Sequence, residues 1–252
     1  MKSKTLIALL AAMLSLALCM FGVACGISEG EEGVAEIDGV QYSDLQAAFD
    51  AAEDGDTVKL LGDYTIPETV EDTVEARLVI KSKITLDFGS YRIMAPAKMS
   101  EYGKNFAAIY VKANTIFKAK ENGGIVCAAD ETGIGPYGVN IVEGAELTVN
   151  GGTYVGGGTA FQVQLGELEI IAGKFSCNPF DEPFGYKFLI NCVDAPYAAG
   201  TAKVTVKGGS FEMFNPAEAH SENPVANFVA EGYTVDEVVN GDVTTYVVKA
   251  AE

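Results

Sequence analysis

Three stretches of the chain superimpose without a gap: "LTVNGGTYVG" (Leu147 to Gly156), "LEIIAGKFSC" (Leu168 to Cys177) and "VTVKGGSFEM" (Val204 to Met213). Leu147, Leu168 and Val204, with Val149, Ile170 and Val206, alternate with Thr148, Glu169 and Thr205. That is the period-two pattern of strands burying one face. Beyond the glycines, Tyr154, Phe175 and Phe211 point the same way as the apolar set, and Thr153, Lys174 and Ser210 point away. One step further, Cys177 and Met213 share an inward slot. Two-residue hairpins want Asn-Gly or Asp-Gly between opposing strands. The place that fits is near the end, Asn240-Gly241 in "YTVDEVVNGDVTTYVV". The repeated glycine turn instead suits a bend between successive strands of one coil, where glycine takes positive φ without steric cost. Coils of this kind stack in parallel and line up like side chains.

"ITLDFGSYRI" (Ile84 to Ile93) repeats the pattern more loosely. "FKAKENGGIVCA" (Phe117 to Ala128) has the glycines without the register, which leaves Cys127 unplaced. Glycines 89, 124, 152, 173 and 209 are taken as equivalent, and spacings in the twenties and thirties fit coils with insertions. Short strands bounded by Gly, Asn, Asp or Pro follow one another from Arg77 to Phe214, with no further helix between them. Ahead of them, Ser43 and Gln46 have capping-box spacing. Leu45, Ala48, Phe49 and Ala52 form one apolar helix face, Glu53-Asp54-Gly55 ends it, and "TVKLL" (Thr57 to Leu61) reads as the first strand. A helix at Ser43 to Glu53 and a hairpin at Tyr233 to Val248 would cover the two open ends of such a stack. The expectation is all-β: a single-stranded right-handed parallel β-helix over 35–252, with an N-terminal capping helix and a C-terminal hairpin.

Thr5 to Ala24 is an uncharged apolar run behind Lys2 and Lys4, with Gly22 and Ala24 at the positions a signal-peptide cleavage site requires. Residues 1–24 read as a signal peptide and 25–34 as an acidic linker. Cys25 is the candidate lipidation site of a lipoprotein. Cleavage to a soluble product and an uncleaved anchor are the alternatives. Each places the rest outside the cytoplasm, on the cell surface or secreted. The formal charge of −18 disfavours nucleic acid as a partner and allows weak collection of calcium at the surface. Cys127, Cys177 and Cys192 remain beyond the export segment. An odd number excludes a complete disulfide framework and favours buried free thiols, with a Cys177–Cys192 bridge as the alternative. No Cys/His spacing suits zinc.

"DLQAAFDAAEDGDTVKLLGDY" resembles the N-terminal cap and first strand of pectate-lyase-like right-handed parallel β-helices. "FLINCVDAPYAAGTAKVTVKGGSFEMFNPAEA" with "NFVAEGYTV" is similar to the closing coils of exported β-helix proteins of gut bacteria and their phages. The resemblance implies the architecture and no reaction, because this fold hosts lyases, hydrolases, adhesins and tail spikes. A lyase needs clustered carboxylates for calcium and a basic residue, yet the chain has two arginines, Arg77 and Arg92, with no acidic cluster beside them in sequence. It has no Asp-Asp pair, and Asp54 and Asp56 sit in a turn that favours aspartate structurally. His220, the single histidine, lies in a polar loop, and Ser210 lacks a nucleophile elbow. No catalytic residue, metal or cofactor is assigned. The candidate binding residues are Phe180, Phe184 and Tyr186, in the insertion "NPFDEPFGYKF". The expected function is adhesion or glycan binding without catalysis, toward an extracellular glycan or a host or bacterial surface protein. A polysaccharide lyase or hydrolase, and a structural spacer of a surface assembly, are the alternatives.

Overall fold

The computed structural model describes residues 33–67, 76–97, 107–129, 135–178, 188–220 and 225–252. The chain is mostly β, and its strands pair mainly in parallel. It opens with β1 (Ala35–Ile37) and β2 (Val40–Tyr42), an antiparallel hairpin. Asp38 and Gly39 turn it with φ of 48° and 84°, the two positive values of a type I′ turn. This Asp-Gly hairpin escaped the sequence reading, which placed such a turn only near the end. Helix α1 (Leu45–Ala51) follows. Asp44 is its N-cap, accepting from the amide of Ala47, so the Ser43–Gln46 capping box does not form. Leu45, Ala48 and Phe49 are buried as the helical spacing requires.

The chain then makes repeated circuits. The first is β3 (Thr57–Leu60), β4 (Tyr64–Thr65) and β5 (Ala76–Ile80). The second is β6 (Ile84–Gly89), β7 (Arg92–Ala95) and β8 (Ala107–Val111). The third is β9 (Thr115–Ala119), β10 (Gly124–Cys127) and β11 (Tyr137–Ile141). Next come β12 (Ala145–Gly156) and β13 (Phe161–Val163), then β14 (Gly166–Cys177) and β15 (Ile190–Cys192). After a one-turn helix, α2 (Asp194–Ala198), the last circuit is β16 (Ala202–Val206) and β17 (Gly209–Glu212). Helix α2 is a correction to the helix-free expectation.

The first five circuits visit three parallel ladders in the same order, and the last adds a strand to ladders I and II only. Ladder I aligns Val58 with Leu86, Phe117, Val149, Ile170 and Val206. Ladder II aligns Tyr64, Ile93, Ile125, Tyr154, Phe175 and Phe211. Ladder III, a separate five-stranded sheet, aligns Leu78, Ile109, Val139, Phe161 and Ile190. All of these side chains join one buried cluster. Burying each contributes about 1.5–3 kcal/mol before ordering entropy is charged against it. Strands β12 and β14 are long because each runs through the glycine bend and serves ladders I and II in turn, with register shifts at the bend.

The alignment of the three repeats is the register of the structure: Leu147, Leu168 and Val204 are neighbours, as are Tyr154, Phe175 and Phe211. The rings of Tyr154 and Phe175 stack at 5.5 Å and 10°, those of Phe175 and Phe211 at 4.8 Å and 15°. Two details differ. Gly124 pairs with Thr153 and Gly89 with Ala119, so the outer glycines are not equivalent to Gly152. Met213 leaves its inward slot: its φ of 54° turns it outward to 44% exposure, and Phe214 is buried in its place.

Strand β18 (Tyr233–Asn240) and β19 (Val243–Ala250) close the far end as an antiparallel hairpin, with β19 on β17. The loop is Gly241-Asp242, not Asn240-Gly241. Gly241 alone has positive φ, at 62°, as in a type II′ turn.

Candidate binding face

Outward residues of ladder I form three rows across six neighbouring strands. The central row is Thr57, Thr85, Ile116, Thr148, Glu169 and Thr205. One flanking row carries Lys83, Asn114, Glu146, Glu167 and Lys203, and the other Lys59, Asp87, Lys118, Asn150 and Lys207. The face thus holds five lysines and four carboxylates in a chain of net charge −18. The acidity lies at the ends instead. Residues 36–56 contain seven carboxylates and no lysine or arginine, and residues 231–252 contain five carboxylates against Lys249.

Three cross-strand pairs tie the face together. Lys118 Nζ lies 3.2 Å from Asp87, Lys203 Nζ 3.3 Å from Glu167, and Lys207 Nζ 2.5 Å from Glu169. The bond to Glu169, then its charge, raises the Lys207 pKa above the ordinary lysine value. These pairs lie at the surface, where solvent and salt screen them, so they order the face more than they stabilise the fold. Lys59, Lys83 and Glu146 have no ion pair among the described residues.

Lys83 and Glu146 line one cleft of about 340 Å³ with Thr85, Asn114, Ile116 and Thr148. Its floor includes Ile116, 46% exposed on an outward position. Inversion of polarity puts it there: Thr115 takes the inward slot, 3% exposed, with its hydroxyl donating to Ala113 O at 2.8 Å. Asn114 is committed to the scaffold, its Oδ1 accepting from the Glu146 amide at 3.1 Å. An ammonium, a carboxylate and two hydroxyls therefore surround an apolar patch. That combination suits a polyhydroxylated ring with a hydrophobic face. The signal in sequence was "NTIFKA": Phe117 inward forces Ile116 outward, a rule applied to the repeats and not to this strand.

A second cleft, about 330 Å³, follows the bend between ladders I and II and is lined by Gly152, Gly173, Gly209, Lys174, Glu121 and Val247 among others. Lys174 Nζ bonds Glu121 at 2.5 Å, which holds that carboxyl below its usual range. The glycines here answer to packing. A Cβ on Gly173 would lie 2.6 Å from the Phe175 ring. The glycine repeat is thus the seat of the aromatic stack.

Other candidates resolve as scaffold or solvent. Arg92 is exposed and donates through Nε to Asn122 O at 2.8 Å. Asp54 and Asp56 accept from the amides of Lys83 and Glu53, both at 2.8 Å. Ser210 sits beside Lys174 on the bend, and His220 is exposed. Among the described residues no group of three or more His, Cys, Asp or Glu is placed to hold a metal. Cys127, Cys177 and Cys192 are buried and in no disulfide, so the Cys177–Cys192 bridge does not form. The structure places Cys127: pairing of Val126 with Val155, and of Gly156 with Cys177, sets it two strands from Cys177 across Gly156. Burial pushes its thiol up to about 12, which removes it from thiolate chemistry at neutral pH. Cys25, Phe180, Phe184 and Tyr186 lie outside the described residues.

No family model matches the chain, and neither a curated protein nor a solved structure matches it, so the chemistry of its faces is the guide to what they bind.

Proposed function

We propose that the chain is an exported surface protein whose three ladders form a right-handed parallel β-helix of the pectate-lyase-like type, and that it binds glycan through the outward face of ladder I. The same cyclic visit to three parallel ladders supports the solenoid, and the handedness follows the general rule for parallel crossovers. The apolar run from Thr5 to Ala24 supports export, with Cys25 as the lipid attachment point.

The cleft over Ile116 carries the binding reading. It offers an apolar floor with Lys83, Glu146, Thr85 and Thr148 around it, on a face that escapes the acidity of the rest. A glycan-array screen of the protein identifies the ligand, and Ile116→Asp is expected to reduce binding roughly tenfold, the scale of losing one buried apolar contact. Binding unchanged by Ile116→Asp removes the site, and an empty array favours a structural spacer.

One observation favours the enzymatic alternative. Lys83 and Glu146, both without an ion pair among the described residues, line one cleft, and a base and an acid are the minimum for lyase chemistry. A polysaccharide-degradation assay, with and without calcium, separates the two. The binding reading expects no product; release of oligosaccharide, abolished by Lys83→Met, establishes the enzyme.

A further inference from the structure

Strand β18 ends the order of strands in the large sheet, and β19 is its one pairing partner among the described residues. Its eight residues pair with β19 without a bulge, and it contains no proline. The two-residue loop fixes which groups are free. Asn240 and Val243 form the hydrogen-bonded pair at the turn, so Val238, Asp236 and Thr234 also bond toward β19. The Ala251 amide bonding Gly232 O at 2.8 Å fits this parity, as does the Met213 amide bonding Thr244 O at 2.8 Å on the other side of β19. The amides and carbonyls of Val235, Glu237 and Val239 therefore point away from the molecule, an open template for another strand. At the tip, Val238 is 52% exposed, Val239 64% and Val243 40%. Neighbouring residues of a strand face opposite sides, so both faces of the tip are apolar and open.

Charge decides what fits this edge. A two-fold antiparallel pairing of β18 with its own copy has few registers. Centring on Asp236 or Glu237 sets a carboxylate against itself. Centring on Val239 sets Asp236 against Asp242. Centring on Val235 leaves the valine tip uncovered. Centring on Val238 opposes Val238 to Val238, Glu237 to Val239, Asp236 to Asn240 and Thr234 to Asp242, with no like charges directly opposite. In that register Glu237 and Val239 of the two copies exchange backbone hydrogen bonds, using the groups that are free. Asp236 is already neutralised by Lys249, 2.5 Å away. We infer that the protein self-associates through β18, two copies pairing antiparallel about Val238 so that the large sheets of the two molecules join edge to edge through their hairpins.

The full chain carrying Val238→Cys tests the pairing. A two-fold through residue 238 brings the two Cα atoms to about 4.5 Å, within disulfide reach. Residue 239 of one copy is diagonal to 239 of the other, about 7–8 Å away. The expected result on a non-reducing gel is a covalent homodimer for Val238→Cys, with wild type and Val239→Cys at the background set by the native cysteines. Peptide mapping should show a 238–238 link. Sedimentation of wild type should show a reversible dimer that strengthens with added salt, as the hairpin carboxylates are screened. Val238→Lys, at an exposed position, should weaken it tenfold or more, roughly, with an unchanged circular dichroism spectrum. A wild-type monomer at every concentration and salt overturns the inference. So does equal cross-linking of Val239→Cys, or capture of a foreign chain at Val238→Cys with no homodimer.

Discussion

Tyr154 shows how much a single side chain is asked to do. It stacks on Phe175, lies 6.4 Å from Phe117 with near-parallel rings, and is 1% exposed. Its hydroxyl has no hydrogen-bond partner among the described residues, and burial drives the phenol pKa far above its ordinary value. An orphaned buried hydroxyl costs roughly 1–3 kcal/mol that its ring must offset. Tyr154→Phe is therefore expected to stabilise the protein by about 1 kcal/mol, read as a higher denaturant midpoint at constant slope. A lower midpoint would mean that the hydroxyl finds a partner. At this scale the sequence was informative wherever period two held: the inward aromatics, the outward Thr153, Lys174 and Ser210, and the buried Cys177 follow from alternation alone. It misled at Met213, because a positive φ at a non-glycine residue reverses the alternation and leaves no mark in the composition.

Among the elements, α1 is more than a plug. Gln46 reaches back to β5, the edge of ladder III. Its Oε1 accepts from the Val79 amide at 2.8 Å and its Nε2 donates to Val79 O at 3.2 Å. One side-chain amide thus takes the place of a missing strand residue and blunts that edge. Gln46→Ala should cost about 1–2 kcal/mol and increase aggregation on partial unfolding. Gln46→Glu keeps the acceptor but sets an anion against Val79 O, and should recover little of the loss. Both are measurable by chemical denaturation with light scattering. The spacing that announces a capping box belongs in fact to this contact, which sequence cannot reveal because residues 46 and 79 are brought together only by the fold. The same holds for the candidate face: its ion pairs join residues 31, 36 and 38 apart. Circuits of unequal length hide such neighbours, whereas the three nearly identical repeats displayed theirs.

For the molecule as a whole, charge and stacking run along one axis. Carboxylates crowd both ends while the face of ladder I is nearly balanced. Self-repulsion at the ends should outweigh the weak pairs on the face, so added salt is expected to stabilise the fold by on the order of 1 kcal/mol, a few degrees in melting temperature. A melting temperature that falls with salt would give the face pairs the larger share. The three ladders also set how the protein yields to force. Their hydrogen bonds run along the stack, parallel to a pull applied between its two ends. Such a load peels one circuit at a time instead of shearing many bonds together. Releasing the 21 residues between Leu147 and Leu168 would add about 70 Å of chain. A load between the two ends of the stack would therefore be met by stepwise lengthening, each released circuit relaxing the tension before the next one gives way.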